Sequence, residues 1–165
     1  MVMGGKVIVG VGFLLFSRNS SGVPELFTIV ELGSKPEYGK SSGMLTFPME
    51  TFEARDGDFR GTLGRLIREE VGASPEEIVI SGIVPGFFLP IPERKYLRLV
   101  YGYGLFTGDR EQVFTPEDGD VRFASWSTIE FLQQQNVRAG VLPVLEHFVQ
   151  NHFDRLFKKC AQVVV

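Results

Sequence analysis

The stretch from Phe47 to Ala73 constrains the rest of this chain more than any other. It follows an extended Leu45-Thr46-Phe47-Pro48, passes through an acidic, Gly-containing loop, and enters Leu63-Gly64-Arg65-Leu66-Ile67-Arg68-Glu69-Glu70-Val71-Gly72, a run with helical character closed by glycine. The field at a helix C-terminus disfavours anions, so Glu69 and Glu70 stand where propensity would place Lys or Arg. Two adjacent carboxylates at that end point to a divalent cation bound through oxygen.

The segments around this stretch read as a run of strands. Lys6 to Phe16 is continuously apolar and β-branched with two glycines, as expected of a buried strand with close backbone approach. No helix pattern and no Gly-Lys-Ser/Thr stands directly after it, so its glycines do not form a phosphate loop. A polar Gly/Pro turn leads to a second strand over Glu25 to Leu32, forming a hairpin with the first. Gly33 to Gly43 is a long polar loop, and Met44 to Phe47 a short strand ending at Pro48, which either ends the pairing or sits at an edge. The helix starts near Phe59 to Thr62 and stops at Gly72, and Ser74 to Glu77 offers one further turn. Strands follow over Ile78 to Val84, Tyr96 to Phe106 and Val121 to Trp126, with Pro85 to Pro92 read as a loop. Ser127, with Glu130 three positions on, opens a short helix. Pro143 to Lys159 repeats its apolar residues near a period of 3.6 and reads as one helix. Strands in runs, with helices in the middle and at the end, argue for an α+β fold with a mixed sheet between helices.

A length of 165 residues fits one domain over 1–165, and 44% apolar composition with fifteen Phe supplies a core. A net charge of −3 with no basic block leaves no footprint for a nucleic-acid polymer or an anionic membrane. No apolar run reaches the length of a membrane span, the lone Cys160 cannot form an internal disulfide, and the N-terminus lacks the features of a signal peptide. The expected location is the cytoplasm.

On a helical projection at about 100° per residue, Leu63, Ile67 and Val71 share the stripe that packs on the sheet. Glu69 and Glu70 fall on one flank with Leu66 between them, and Arg65 and Arg68 fall opposite. Pro48, the acidic loop and Arg65-Leu66-Ile67-Arg68-Glu69-Glu70-Val71-Gly72-Ala73 resemble the box of the Nudix hydrolase family. That motif reads Gly, any five, Glu, any seven, Arg-Glu-aliphatic-any-Glu-Glu-any-Gly-aliphatic. The order of elements over roughly residues 6 to 155 resembles that family as well.

The resemblance implies an α/β/α sandwich and an enzyme that uses Mg²⁺ or Mn²⁺ to hydrolyse the pyrophosphate of a nucleoside diphosphate linked to another group, a small-molecule nucleotide derivative. Arg65 matches the motif arginine, which would orient carboxylates by bidentate hydrogen bonds. Glu69 and Glu70 match the paired metal-binding glutamates, and Gly72 the closing glycine. Three departures stand beside these matches. Leu66 occupies the position of the motif's Arg-Glu glutamate. Met49 and Glu50 replace the glycine pair that normally follows Phe/Leu-Pro. The position eight before Arg65 is Gly57, with Asp56 one residue further away. Glu50 is the preferred substitute for the missing ligand, because it follows the Phe-Pro strand end. The candidate set is thus Arg65, Glu69 and Glu70 for catalysis, and Glu69, Glu70 and Glu50 for the metal. The alternative is a catalytically inactive Nudix-fold protein that binds a nucleotide or a protein partner.

Other candidates read as structural. Glu53, Asp56 and Asp58 read as a polar loop. Glu117, Asp118 and Asp120 read first as a solvated loop before the Trp strand, where some members of the family keep a further base or ligand. His147 and His152 are five apart and show no metal-site pattern. Tyr101 and Tyr103 share one face of a strand, either as an ordinary sheet face or as a stack for a base. The apolar end Val163-Val164-Val165 suits packing on the domain or a homodimer contact.

Overall fold

The structure is a computed structural model and describes residues 7–35, 40–86, 88–91 and 95–161. Among the described residues eight strands form one mixed sheet in which β3 (Leu45–Thr46), β2 (Pro24–Glu31), β1 (Val7–Arg18), β7 (Lys95–Phe106) and β5 (Ile78–Val84) are neighbours in that order. The remaining strands, β4 (Met49–Thr51), β6 (Phe88–Ile91) and β8 (Val121–Ser127), pair with β1, β7 and β2 respectively. β1 runs parallel to β7 and antiparallel to β2 and β4.

The continuous apolar character of β1 has a direct cause: both faces of the sheet are covered. Leu14 and Phe16 point into one core with Tyr101, Tyr103 and Phe148, whereas Val11, Phe13 and Leu15 point into a second core with Leu63, Leu66 and Val71. Two cores on opposite faces of one sheet make the α/β/α sandwich. Gly12 is one of the β1 glycines, and a Cβ there would meet the Phe47 ring at 2.4 Å. Gly102 does the same for the opposite face, where a Cβ would come within 2.9 Å of the Leu63 side chain.

The helix on that second face, α1 (Phe59–Leu66), starts at Asp58, whose carboxylate accepts the Gly61 N–H at 2.9 Å. Such a cap contributes about 1 kcal/mol. Beyond Leu66 the chain continues as a π-type turn over Ile67–Val71, and Gly72 ends it at φ +71°, its N–H bonded to the Ile67 carbonyl at 2.9 Å. The wider turn invalidates a uniform 100° projection at this end.

Elsewhere the structure differs from the sequence reading in four places. Pairing does not end at Pro48: β3 leaves β2 at Thr46, the Pro48 carbonyl accepts the Phe13 N–H at 2.9 Å, and Met49–Thr51 pairs with β1 as β4. Part of the segment read as a loop, Phe88–Ile91, is β6, an antiparallel partner of β7. The cap before the short helix α2 (Ile129–Gln133) is Thr128, accepting the Phe131 N–H at 3.1 Å, in place of Ser127. The long C-terminal helix is two, α3 (Val141–Asn151) and α4 (Phe153–Ala161), broken at His152. The break returns Phe157 to the core that holds Phe148, and both rings pack on Phe16, at centroid distances of 5.3 and 5.2 Å. Tyr101 and Tyr103 lie in that core, so they form an ordinary sheet face and not a stacking platform for a base. The suggestions made for Val163-Val164-Val165 lie outside the described residues. Among those described, no helix is long and apolar enough to cross a membrane.

Candidate metal centre

Arg65 organises the carboxylates of the site. It is 7% exposed, although the helical projection put it opposite the sheet-facing stripe. Its Nε and Nη2 donate to the two Asp56 oxygens at 3.0 and 2.9 Å, Nη2 also donates to the Thr51 carbonyl at 2.6 Å, and Nη1 donates to Glu50 at 2.5 Å and to Glu69 at 3.4 Å. The planar guanidinium thus fills its donors with three carboxylates and a strand carbonyl, which fastens α1 to β4 and to the loop before it. Bidentate pairing with Arg65 holds the Asp56 carboxyl well below the usual range. The same hydrogen bonds hold the guanidinium charged.

Glu70 lies on the other side of this knot. It is 5% exposed and its Oε2 accepts the Met49 backbone N–H at 2.6 Å. Burial, and then the nearby Glu50 charge, push its carboxyl well up, with the Met49 N–H and Arg138 opposing. Glu50 is also raised by burial, against the hydrogen bond and charge of Arg65. Carboxyls raised in this way are short of positive charge, and a cation beside them would restore their ionised form.

A third acid completes the group. One carboxylate oxygen from each of Glu50, Glu70 and Asp118 lies within 4.8 Å of the others, an arrangement that can hold a metal ion. Oxygen donors from three separate segments suit a hard divalent cation. Asp118 reaches the site because of the helix end. Its backbone N–H donates to the Glu69 carbonyl at 2.8 Å, and a Cβ on Gly72 would meet the Thr115 carbonyl carbon at 2.3 Å. A glycine at that point therefore lets the 115–118 segment lie against the π-turn.

Of the residues singled out from sequence, Glu50 and Glu70 come together, and Arg65 supports Glu50. Glu69 is not in the trio: its carboxylate accepts from Arg65, and its backbone carbonyl receives Asp118. Asp118, read first as part of a solvated loop, is in the trio. Leu66 does not interrupt the metal flank, because its side chain is fully buried in the apolar core that holds Val11, Phe13, Leu63 and Val71. Asp56, one residue out of register with the motif, is the acid that grips Arg65.

The cleft beside the trio has a volume of about 220 Å³, and Lys35, Lys40 and Arg138 also line it. No protein-family model matches the sequence, and no curated protein matches it significantly. Solved structures do match the fold. A Nudix hydrolase from Nitrosomonas europaea superposes with a TM-score of 0.67 at 14% identity, covering 92% of this chain and 96% of that one. This chain has the Nudix fold. The Nudix domain of Shewanella oneidensis NrtR, solved in complex with ADP ribose, gives a TM-score of 0.64 at 16% identity over 88% of each chain. A C. elegans Ap4A hydrolase gives 0.61 at 15% identity over 88% of this chain and 98% of its own. At such identities the Nudix likeness is one of architecture, and the chemistry must be argued from the side chains above.

Proposed function

We propose that this protein is a metal-dependent hydrolase, a single Nudix-type domain over 1–165 that cleaves the pyrophosphate of a nucleoside diphosphate linked to another group. The observation that carries the reading is the convergence of Glu50, Glu70 and Asp118. Mg²⁺ or Mn²⁺ held there would neutralise pyrophosphate charge and lower the pKa of a bound water. The chain's own contribution is positional. Glu70 is fixed by the Met49 N–H, Glu50 by Arg65, and Asp118 by the Glu69 carbonyl. In this reading Glu69 and Arg65 act on the ligands, and Glu50, Glu70 and Asp118 are the ligands. The proposed location is the cytoplasm.

The test is hydrolysis of a panel that includes ADP ribose and Ap4A, with Mg²⁺ or Mn²⁺, together with metal titration by calorimetry. Wild type should turn over at least one member of the panel, and Glu70→Gln should lower kcat/KM by roughly 100-fold and abolish the metal-induced rise in Tm. Full activity in Glu70→Gln combined with Glu50→Gln would remove the assignment.

The placement of Leu66 favours a second reading. Where the motif has a glutamate, this chain has a core side chain, so the site has one acid fewer. The second reading is a Nudix-fold module that binds a nucleotide or a protein partner without cleaving it. Binding of ADP ribose with no turnover of the panel would select it.

A further inference from the structure

On the face of the sheet opposite α1 the fold leaves an apolar groove open. α2 and α3 pack on the core that holds Leu132, Val144 and Phe148, whereas α1 packs on the core of the other face. Between α2 and α3 runs a groove of about 690 Å³ whose apolar lining is Ile129, Leu142, Leu145, Val149 and Phe153. Leu145 is buried and forms the floor, while Leu142 and Val149 are 37% and 46% exposed. These three residues of α3 repeat at three and then four positions, the spacing by which a helix presents one face. Two large apolar side chains held open to water on either side of a buried one mark an interaction surface.

The charge of the groove is one-sided. The rest of its lining is Gln133, Gln150, Glu130 and Glu146, with no Lys or Arg. Glu130 lies in the first turn of α2, where the helix field favours an anion. Glu146 has no such reason: it lies midway along α3, exposed between Leu142 and Val149, and it accepts only from the neutral amide of Gln150, at 3.5 Å. Neither carboxylate has an ion-pair partner among the described residues. Two unneutralised carboxylates beside an apolar stripe give the groove a negative rim, complementary to cations. Its walls are helices whose backbone groups bond within the helix, so no ladder is offered to an extended peptide. An occupant must satisfy its own backbone, as a helix does.

We infer that the groove between α2 and α3 docks an amphipathic helix of a partner protein. Its apolar side chains, at three- and four-residue spacing, lie against Leu142, Leu145 and Val149, and Lys or Arg on its flanks lie beside Glu130 and Glu146. A second copy of this chain offers no such element among the described residues. α4 carries Arg155, yet its Leu156 and Phe157 are committed to the core. The exposed face of α1 and the turn after it is Arg60, Gly64 and Arg68, basic but without an apolar stripe. The inference does not rest on the hydrolase reading, since no residue of the groove belongs to the carboxylate trio or to the hydrogen bonds of Arg65.

The probe is a displayed library of helix-forming peptides, selected on the full chain and counter-selected on Val149→Asp. Leu142 and Val149 are exposed, so Leu142→Asp and Val149→Asp should keep the wild-type Tm. The selected peptides should carry apolar residues at three- and four-residue spacing and a net positive charge. One of them, synthesised and followed by fluorescence anisotropy, should bind Leu142→Asp or Val149→Asp at least about 10-fold more weakly, since either variant places a charge in an apolar contact. Glu130→Gln combined with Glu146→Gln should weaken it about 5-fold at low ionic strength and little at high, because exposed charges are screened. Three results would each overturn the inference: no peptide that separates wild type from Val149→Asp, selected peptides that are acidic or lack the helical spacing, or a wild-type dimer in sedimentation that Val149→Asp dissociates. The last gives the face to a second copy. Metal affinity and turnover should be the same in Val149→Asp as in wild type, so a wild type without turnover removes the hydrolase and leaves the groove standing.

Discussion

Arg65 and Asp56 face each other through two parallel hydrogen bonds, Nε to Oδ1 at 3.0 Å and Nη2 to Oδ2 at 2.9 Å. The side chains are 7% and 4% exposed, so the pair behaves as a buried fork and not as a surface ion pair. Lysine cannot reproduce a fork that also reaches Glu50 and the Thr51 carbonyl. Arg65→Lys should therefore destabilise the protein by about 3 kcal/mol in urea unfolding, within the range for breaking a buried pair. Because the fold lowers the Asp56 pKa, its stabilising contribution is present above the ordinary carboxylate value and is lost as pH falls through the folded one. Wild type and Asp56→Asn should accordingly converge in stability toward low pH.

Gly72 joins helix geometry to the site. Its φ of +71° disfavours a side chain, and a Cβ would strike the backbone of Thr115 and Pro116 at 2.3 to 2.6 Å. Gly72→Ala should cost about 1–3 kcal/mol from the backbone alone. It should also displace Asp118, so divalent-metal affinity measured by calorimetry should fall about 10-fold or more while Glu50 and Glu70 stay in place. A loss of stability with unchanged metal affinity would show that Asp118 is not held through this contact.

The mixed sheet between helices and most of its strands were legible because they depend on local signals: the apolar β1 with its glycines, the Gly-terminated helix and the 3.6-residue repeat after Pro143. The site was legible only in outline. A helical projection assumes one constant angle, and the π-type turn at Ile67–Val71 breaks that assumption where Glu69 and Glu70 must be assigned to faces. Asp118 lies far along the chain from Glu70 and is brought in by a backbone hydrogen bond to Glu69, which no spacing rule reports.

His152 supplies a pH dependence away from the metal centre. Its ring stacks on Tyr103 at 5.2 Å, next to His147 at 5.9 Å, where the chain breaks between α3 and α4. Burial, then the neighbouring His147 and Arg155, lower its pKa. A lowered folded pKa means that the unfolded chain binds more protons in the window below the unfolded value of about 6.5. Stability is therefore complete above that value and falls as the solution is acidified. Tm should drop between pH 7.5 and pH 5.5 by more in wild type than in His152→Phe, and an equal drop in both would assign the acid sensitivity elsewhere.

Leu66 tests whether the missing motif glutamate can be put back. A carboxylate at this fully buried position in the apolar core that also holds Val11, Phe13, Leu63 and Val71 would be cut off from water, and the lost leucine would leave part of its volume unfilled. Losing the leucine packing costs about 2–5 kcal/mol, and the stranded carboxylate adds a further several. Leu66→Glu should therefore unfold the domain or lower its stability by at least about 4 kcal/mol, in contrast to Leu66→Met, which keeps the volume and should cost under about 1.5 kcal/mol. Denaturant unfolding of the two variants, with metal titration of whatever remains folded, decides the matter. A Leu66→Glu protein as stable as wild type and with tighter metal binding would mean that this side chain can leave the core for the carboxylate trio, and that the helix end rearranges when a ligand is offered.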